Sequence, residues 1–222
     1  MSGLPAAVLF DMDGLLVDTE KVWFEVETEL ATSLGGSWGP ADQMALVGGP
    51  LERTLEYIAA TVPTEVSPAD LREQLLDGMV SRLRRGPVHW MPGARQLLEE
   101  TSAAGVPRAL VSSSLRVVVD AVLDAIGREH LPVTVSGDDV ARTKPYPDPY
   151  LLAARTLGVD PADCVALEDS ATGAASARAA GCYTVGVPSM ATIPADVAHH
   201  QVGSLEELDL AALADLVGAR AS

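Results

Sequence analysis

Asp11 and Asp13 stand one residue apart in the stretch FDMDGLLVDTE (10–20), directly after the apolar run 6–10 and before Gly14. Two carboxylates at the mouth of a strand repel each other unless a cation or a held proton neutralises them. On an extended backbone residues i and i+2 point the same way, so both can face one substrate. An aspartate is ionised at neutral pH and can attack phosphorus without a base, forming an aspartyl-phosphate. A second carboxyl beside it can protonate the leaving oxygen and then activate water. Gly14 lets the chain turn away at once.

Other polar groups close or follow apolar runs far along the chain. Ser112, Ser113 and Ser114 follow RALV, Lys144 lies in RTKPYPDPY, and Glu168-Asp169 ends CVALED. Ligands of open parallel sheets bind outside the carboxyl ends of the strands, so these groups are expected at one edge with Asp11 and Asp13. Four gathered carboxylates call for a hard, oxygen-preferring cation, and Mg²⁺ shared with a phosphate suits them. Lys144 supplies fixed positive charge, and the Ser112 hydroxyl with nearby backbone N–H groups supplies donors to anionic oxygens. Lys144 and Lys21 are the chain's two lysines among fifteen basic residues.

The elements that position these groups read as α/β. Apolar runs at 6–10, 108–112, 132–136, 164–169 and 182–187 alternate, from residue 92 onward, with helix-like segments, which implies a parallel sheet covered on both faces. Asp148 and Pro149 are expected to cap and open a helix that Gly158 ends, Ser170 to cap one that Gly181 ends, and Ser204 with Glu207 to form a capping box. A strand–helix–strand unit needs only about 30 residues, yet roughly a hundred separate the first two runs. That gap shows helical spacing at Trp23, Val26, Leu30 and Leu34, at Leu51, Leu55, Ile58 and Val62, and at Leu71, Leu75, Met79 and Leu83. The expected organisation is a Rossmann-like core, 1–18 and 88–222, with an all-helical cap domain, 19–87, joined through connectors 15–18 and 86–93 that suit hinge motion.

FDMDGLLVDT, the serine after LV at 112, TKP with Lys144 and LEDS at 167–170 resemble the four ordered motifs of the haloacid dehalogenase-like hydrolase superfamily. The branch is the one that holds sugar-phosphate phosphatases and beta-phosphoglucomutase. The likeness spans nearly the whole chain, and the helical insert is similar to that branch's cap. It implies Asp11 as nucleophile, Asp13 as acid and base, and Ser112 and Lys144 as phosphate holders. It also implies Mg²⁺ on Asp169, the Asp11 carboxylate and the Asp13 backbone carbonyl, with Glu168 helping directly or through water. Trp23 departs from the pattern, because the phosphoglucomutase has a functional histidine at that place.

Several residues carry a second, plainer reading. Ser113, Ser114 and Arg116 could touch substrate or simply begin a helix. The glycines of VGGPLER (47–53), Gly49 among them, allow close approach to a substrate and equally suit a helix linker. Asp138 and Asp139 read as turn formers, and His89, His130, His199 and His200 as surface or packing residues without ligand spacing. Cys164 and Cys182 lack a CxxC pairing and read as buried free thiols.

Composition bounds the function. A net charge of −16 argues against a nucleic-acid partner, and no apolar run approaches the ~18 residues that span a bilayer, so no membrane partner is expected. The N-terminus has no basic start followed by a long apolar stretch, which gives a cytoplasmic expectation. The leading expectation is a Mg²⁺-dependent phosphatase for a small phosphorylated metabolite such as a sugar phosphate. A phosphomutase of the same fold is the alternative, followed by a dehalogenase, which does not need Asp13, and a non-catalytic acidic binding protein, which has no reason to hold all these charges together.

Overall fold

The computed structural model describes residues 3–46, 51–63 and 65–220. Its described part holds a six-stranded, wholly parallel sheet in the order β3-β2-β1-β4-β5-β6. The strands are β1 (Ala7–Phe10), β2 (Arg108–Val111), β3 (Val133–Val135), β4 (Cys164–Glu168), β5 (Tyr183–Gly186) and the short edge strand β6 (His200–Gln201). β1 sits at the centre, and every residue of β1 and β4 is buried, which explains their unbroken apolar sequence. Alternate residues serve opposite faces. Val8, Phe10, Leu110, Val165 and Leu167 join one core, while Ala7, Leu9, Ala109, Cys164 and Ala166 join the other.

The second face is built from small residues. Ala153 and Ala154 of α7 (Asp148–Leu157) and Ala177 of α8 (Ala171–Ala179) meet the sheet alanines, so these helices pack closely. Both helices stand over the sheet next to the loops that carry the site. Ser170 caps α8 by accepting from Gly173 N at 3.1 Å. Asp148 is the first residue inside α7 rather than its cap, and its carboxylate accepts from Arg142 at 3.2 and 3.0 Å. The Ser204–Glu207 capping box is present, on a single 3₁₀ turn. Both cysteines are buried thiols, in no disulfide.

Between β1 and β2 come α1 (Glu20–Ser33), α2 (Pro40–Leu46), α3 (Leu51–Thr61), α4 (Pro68–Arg85) and α5 (Ala94–Ala103); α6 (Arg116–Ile126) follows β2 and α9 (Leu210–Arg220) ends the described chain. The apolar stripe of α4, Leu71, Leu75, Met79 and Leu83, is fully inward, each residue 2% exposed or less. Burying each such side chain contributes about 1.5–3 kcal/mol. Ser67 caps α4 through Asp70 N, Pro68 opens it, and three arginines fill its last turn, where the helix dipole favours them. The two connectors run side by side: Asp18 N donates to His89 O and Met91 N to Leu16 O, both at 2.9 Å, and Val17 bridges Trp90. No helix of the described residues is long and apolar enough to cross a membrane.

Candidate active site

Chain order reverses beside β1, with β2 on one flank and β4 on the other, which is where an open parallel sheet leaves a crevice at its carboxyl edge. Asp11 follows β1, Ser112 follows β2, Lys144 comes from the loop after β3, and Glu168 ends β4. Asp11, Lys144 and Glu168, drawn from distant parts of the chain, interlock there, and Ser112 stands beside them on Asp13. Lys144 Nζ lies 2.5 Å from Asp11 Oδ1, 2.6 Å from Glu168 Oε1 and 2.9 Å from Val111 O, so three acceptors meet its three protons. Tyr150 OH donates to the same Glu168 oxygen. The Lys144 and Asp11 side chains are 5% and 8% exposed and Glu168 is sealed.

Asp13 is held differently. Ser112 Oγ and Ser114 Oγ each donate to its Oδ2 at 2.9 Å, and Thr19 Oγ1 donates to its Oδ1 at 2.6 Å. Ser112 Oγ in turn accepts from Ser114 N at 2.9 Å. Hydroxyls from the start of α1 and from the loop after β2 therefore fix this carboxyl, while an ammonium fixes the other. Gly14, at φ +79°, makes the tight turn that sets them side by side, its N–H donating to Val17 O at 2.9 Å. A Cβ on Gly14 would lie 2.2 Å from Asp169 Oδ2 and one on Gly173 1.8 Å from Glu168 Oε2, so both glycines leave room for carboxylates.

Electrostatics at the edge is dominated by burial. Burial raises Asp11 to about 8, with Lys144 pulling it back and Glu168 and Asp13 pushing it further up. Asp169 is raised to about 7 by burial and then by Asp11, although the Ser189 hydroxyl at 2.6 Å opposes this. Burial raises Glu168 as well, against the attraction of Lys144. For Lys144, burial works against the charge, but Asp11 and Glu168 outweigh it and hold the ammonium above its ordinary value.

The residues present fit a divalent cation. Asp11, Glu168 and Asp169 each offer an oxygen, and the three atoms lie within 4.8 Å of one another. Fully ionised, these three carboxylates beside the one ammonium leave an excess of two negative charges in a hard, all-oxygen donor set, which is the charge and chemistry that Mg²⁺ would meet.

Other expected residues lie elsewhere. Ser113 is exposed. Arg116 turns to Thr134 Oγ1 at 2.9 Å and to the Asp139 carboxylate, so its guanidinium serves the β3 end of the sheet. Asp139 also closes a capping box with Ser136. Gly49 lies outside the described residues. His199 stacks on Tyr183 with ring centroids 5.0 Å apart. Three site residues escaped the reading of the sequence, Thr19, Tyr150 and Ser189, while Ser114, expected at this edge, is found there on Asp13. Ser189 had a usable signal, since it follows β5 just as Ser112 follows β2; Tyr150, inside a helix, had none.

A recess of about 440 Å³ opens over Gly14 and Ser189, walled by Glu20, Lys21 and Phe24 of α1, Gln43 of α2 and the connector residues Asp18 and Met91. A larger recess of about 510 Å³ lies between α4 and α6, but it holds none of the acidic trio, and its arginines are paired: Arg72 with Glu52, Arg84 with Asp124, Arg116 with Asp139. The recess over Gly14 is therefore the candidate substrate site.

Residues 8–187 match the family model described as haloacid dehalogenase-like hydrolase. Protein CbbY of Rhodobacter capsulatus is 36% identical over 193 residues, covering 82% of this chain and 85% of the relative. Hexitol phosphatase A of Escherichia coli is 31% identical over 192 residues, 84% of each chain. A crystal structure of a CbbY mutant from Rhodobacter sphaeroides in complex with xylulose-(1,5)bisphosphate superposes with a TM-score of 0.81 at 29% identity, covering 95% of this chain and 99% of that one.

Proposed function

The chain belongs to the haloacid dehalogenase-like hydrolases and is a phosphatase of that family, and we propose that it hydrolyses a small sugar-phosphate-like metabolite, with Mg²⁺, through an aspartyl-phosphate on Asp11. The observation that carries this reading is the interlock of Lys144 with Asp11 and Glu168 beside Asp169, assembled from three strand ends and a distant loop. The ligands in the relatives' names, a ketose bisphosphate and a hexitol phosphate, are both small phosphorylated carbohydrates.

In the proposed reaction an Asp11 carboxylate oxygen attacks phosphorus and the ester P–O bond breaks. The leaving oxygen takes a proton from Asp13, whose carboxyl Thr19, Ser112 and Ser114 hold in place. Asp13 then accepts a proton from water as that water attacks the phosphoryl group, and the bond to Asp11 breaks to release inorganic phosphate. Asp11, Asp169, Glu168 and the Asp13 backbone carbonyl would hold Mg²⁺. When bound, the ion neutralises the excess negative charge and draws electron density from the phosphoryl oxygens. Lys144 aims Asp11 and opposes the burial that favours its protonated form, and it meets the phosphate with Ser112 when substrate exchanges for one of their present partners.

The helices within 19–87 would act as a cap over the recess, turning about the paired connectors at Val17 and Trp90. Trp23, half-buried against the core where the mutase-type relatives of the motif have a histidine, favours water over sugar as the final acceptor. The test is phosphate release from p-nitrophenyl phosphate and a metabolite panel, with Mg²⁺ and with EDTA. Activity is expected only with the metal, and Asp11→Asn lowers it by at least about a thousandfold. Full activity in that variant would remove Asp11 as the nucleophile.

A further inference from the structure

We propose that the recess selects a monophosphate whose far end is uncharged and hydroxylated, and rejects a second phosphate or a carboxylate there; this rests on the phosphatase reading. The recess meets the acidic edge at Gly14 and Ser189, the latter bonded to Asp169 at 2.6 Å, so a phosphoryl group at Asp11 leaves its carbon chain in the recess. Phe24, Met91 and Met190 give that chain apolar surface. The polar lining is Asp18, Glu20, Gln43 and Lys21, two carboxylates and an amide against one ammonium, counted among the described residues.

That composition decides between ligand classes. A second phosphate carries about −1.5 to −2 charges and is recognised by arginine forks or clustered cations. Here the single lysine shares the recess with two carboxylates, and the Lys21 backbone N–H donates to Asp18 Oδ1 at 3.4 Å, which holds that carboxylate at the start of α1. Two arginines of the same helical insert are committed to its acidic surface: Arg82 to Glu25 and Glu29, Arg72 to Glu52. Hydroxyl groups, in contrast, donate to carboxylates and both donate to and accept from an amide, so Glu20, Asp18 and Gln43 suit a polyol or sugar chain. Gln43 Nε2 donates to Glu20 O at 3.0 Å, which ties α2 to the start of α1 and fixes the two walls to each other.

The experiment compares kcat/KM of the purified chain with Mg²⁺ for a hexitol 6-phosphate, a hexose 1,6-bisphosphate and 2-phosphoglycolate, with p-nitrophenyl phosphate reporting the reaction itself. The expected result is at least a tenfold preference for the hexitol monophosphate over both others. Glu20→Lys should cut the monophosphate-to-bisphosphate ratio at least threefold, through a lower KM for the bisphosphate; should that variant not fold, Gln43→Lys reads the same ratio. Equal or faster turnover of the bisphosphate or phosphoglycolate, or a ratio unmoved by a folded charge variant, overturns the proposal. Absence of phosphate release from every ester, p-nitrophenyl phosphate included, would instead remove the phosphatase reading beneath it.

Discussion

Lys144 and Arg72 both approach carboxylates closely, at 2.5 and 2.6 Å for Lys144 and 2.7 Å for Arg72, yet they belong to different electrostatic worlds. At the sheet edge the partners are withdrawn from water, with Lys144 5% and Glu168 0% exposed. On the helical insert Arg72 and Glu52 are 37% and 63% exposed. Burial strengthens every interaction at the edge and makes each group depend on the others, whereas solvent screens the insert's pairs into near independence. The edge is built to hold one arrangement of charge. Solvent-exposed pairs of the insert such as Arg72 with Glu52 can vary without disturbing that arrangement, whereas Glu20, in the recess wall, still feels Asp13 and Asp169.

The sharpest way to break this contrast is Lys144→Ala, which leaves Asp11 and Glu168 buried without their cation. Loss of one partner of a buried ion pair costs about 3–5 kcal/mol, so urea unfolding in EDTA should show destabilisation of that order together with loss of activity. A change below about 1 kcal/mol would mean the edge is as well solvated as the insert. Next in size, Gly14→Ala places a side chain at positive φ and against Asp169. We expect Mg²⁺ binding by calorimetry to weaken at least tenfold while unfolding shifts by about 1–2 kcal/mol, and unchanged binding would contradict the crowding at 2.2 Å.

Glu27 tests the insert at its one strongly buried carboxyl among the described residues of α1. Burial raises it to about 7, and Glu20 raises it further; the Trp38 indole N–H, buried and outside hydrogen-bonding geometry, offsets this only weakly. The folded state thus holds a proton that the unfolded state, near 4.5, has lost. Stability is full below about 4.5, falls as pH rises from there towards about 7 and is level above it, a loss of about 3 kcal/mol. Glu27→Gln should therefore unfold at higher temperature than the unchanged protein at pH 8 and at a similar temperature at pH 5. The reverse order would show that the carboxylate is stabilised in place. At the small end, Arg72→Ala should cost less than about 0.5 kcal/mol, and its effect should vanish in high salt.

The strands were legible in sequence because both faces of β1, β2 and β4 are buried, which leaves unbroken apolar runs; β6 was not, since His200 and Gln201 are exposed at the edge and pair through backbone alone. The α4 stripe was legible because four inward residues fall at helical spacing, while α2, with only Leu46 buried, leaves no stripe to read. Asp11, Asp13, Ser112, Lys144, Glu168 and Asp169 could be listed because strand ends converge in any open parallel sheet. Their partners could not all be. The hydroxyls on Asp13 come from places 6, 99 and 101 residues away, and Tyr150 reaches Glu168 from a helix whose local pattern announces only packing. Arg116 looked available for phosphate by its place after the serines, but Asp139 and Thr134 claim it, a pairing that only the meeting of α6 with the β3 end creates.

The central claim is that the first carboxylate after β1 bonds to phosphorus. It is tested most directly by acid-quenching the unsubstituted protein during turnover of a ³²P-labelled ester with Mg²⁺ and mapping the label by peptide mass spectrometry. The account predicts a hydroxylamine-labile phosphoryl group on Asp11, absent in EDTA. Label on Ser112, or turnover of the unsubstituted protein by a route that never labels the chain, would contradict it.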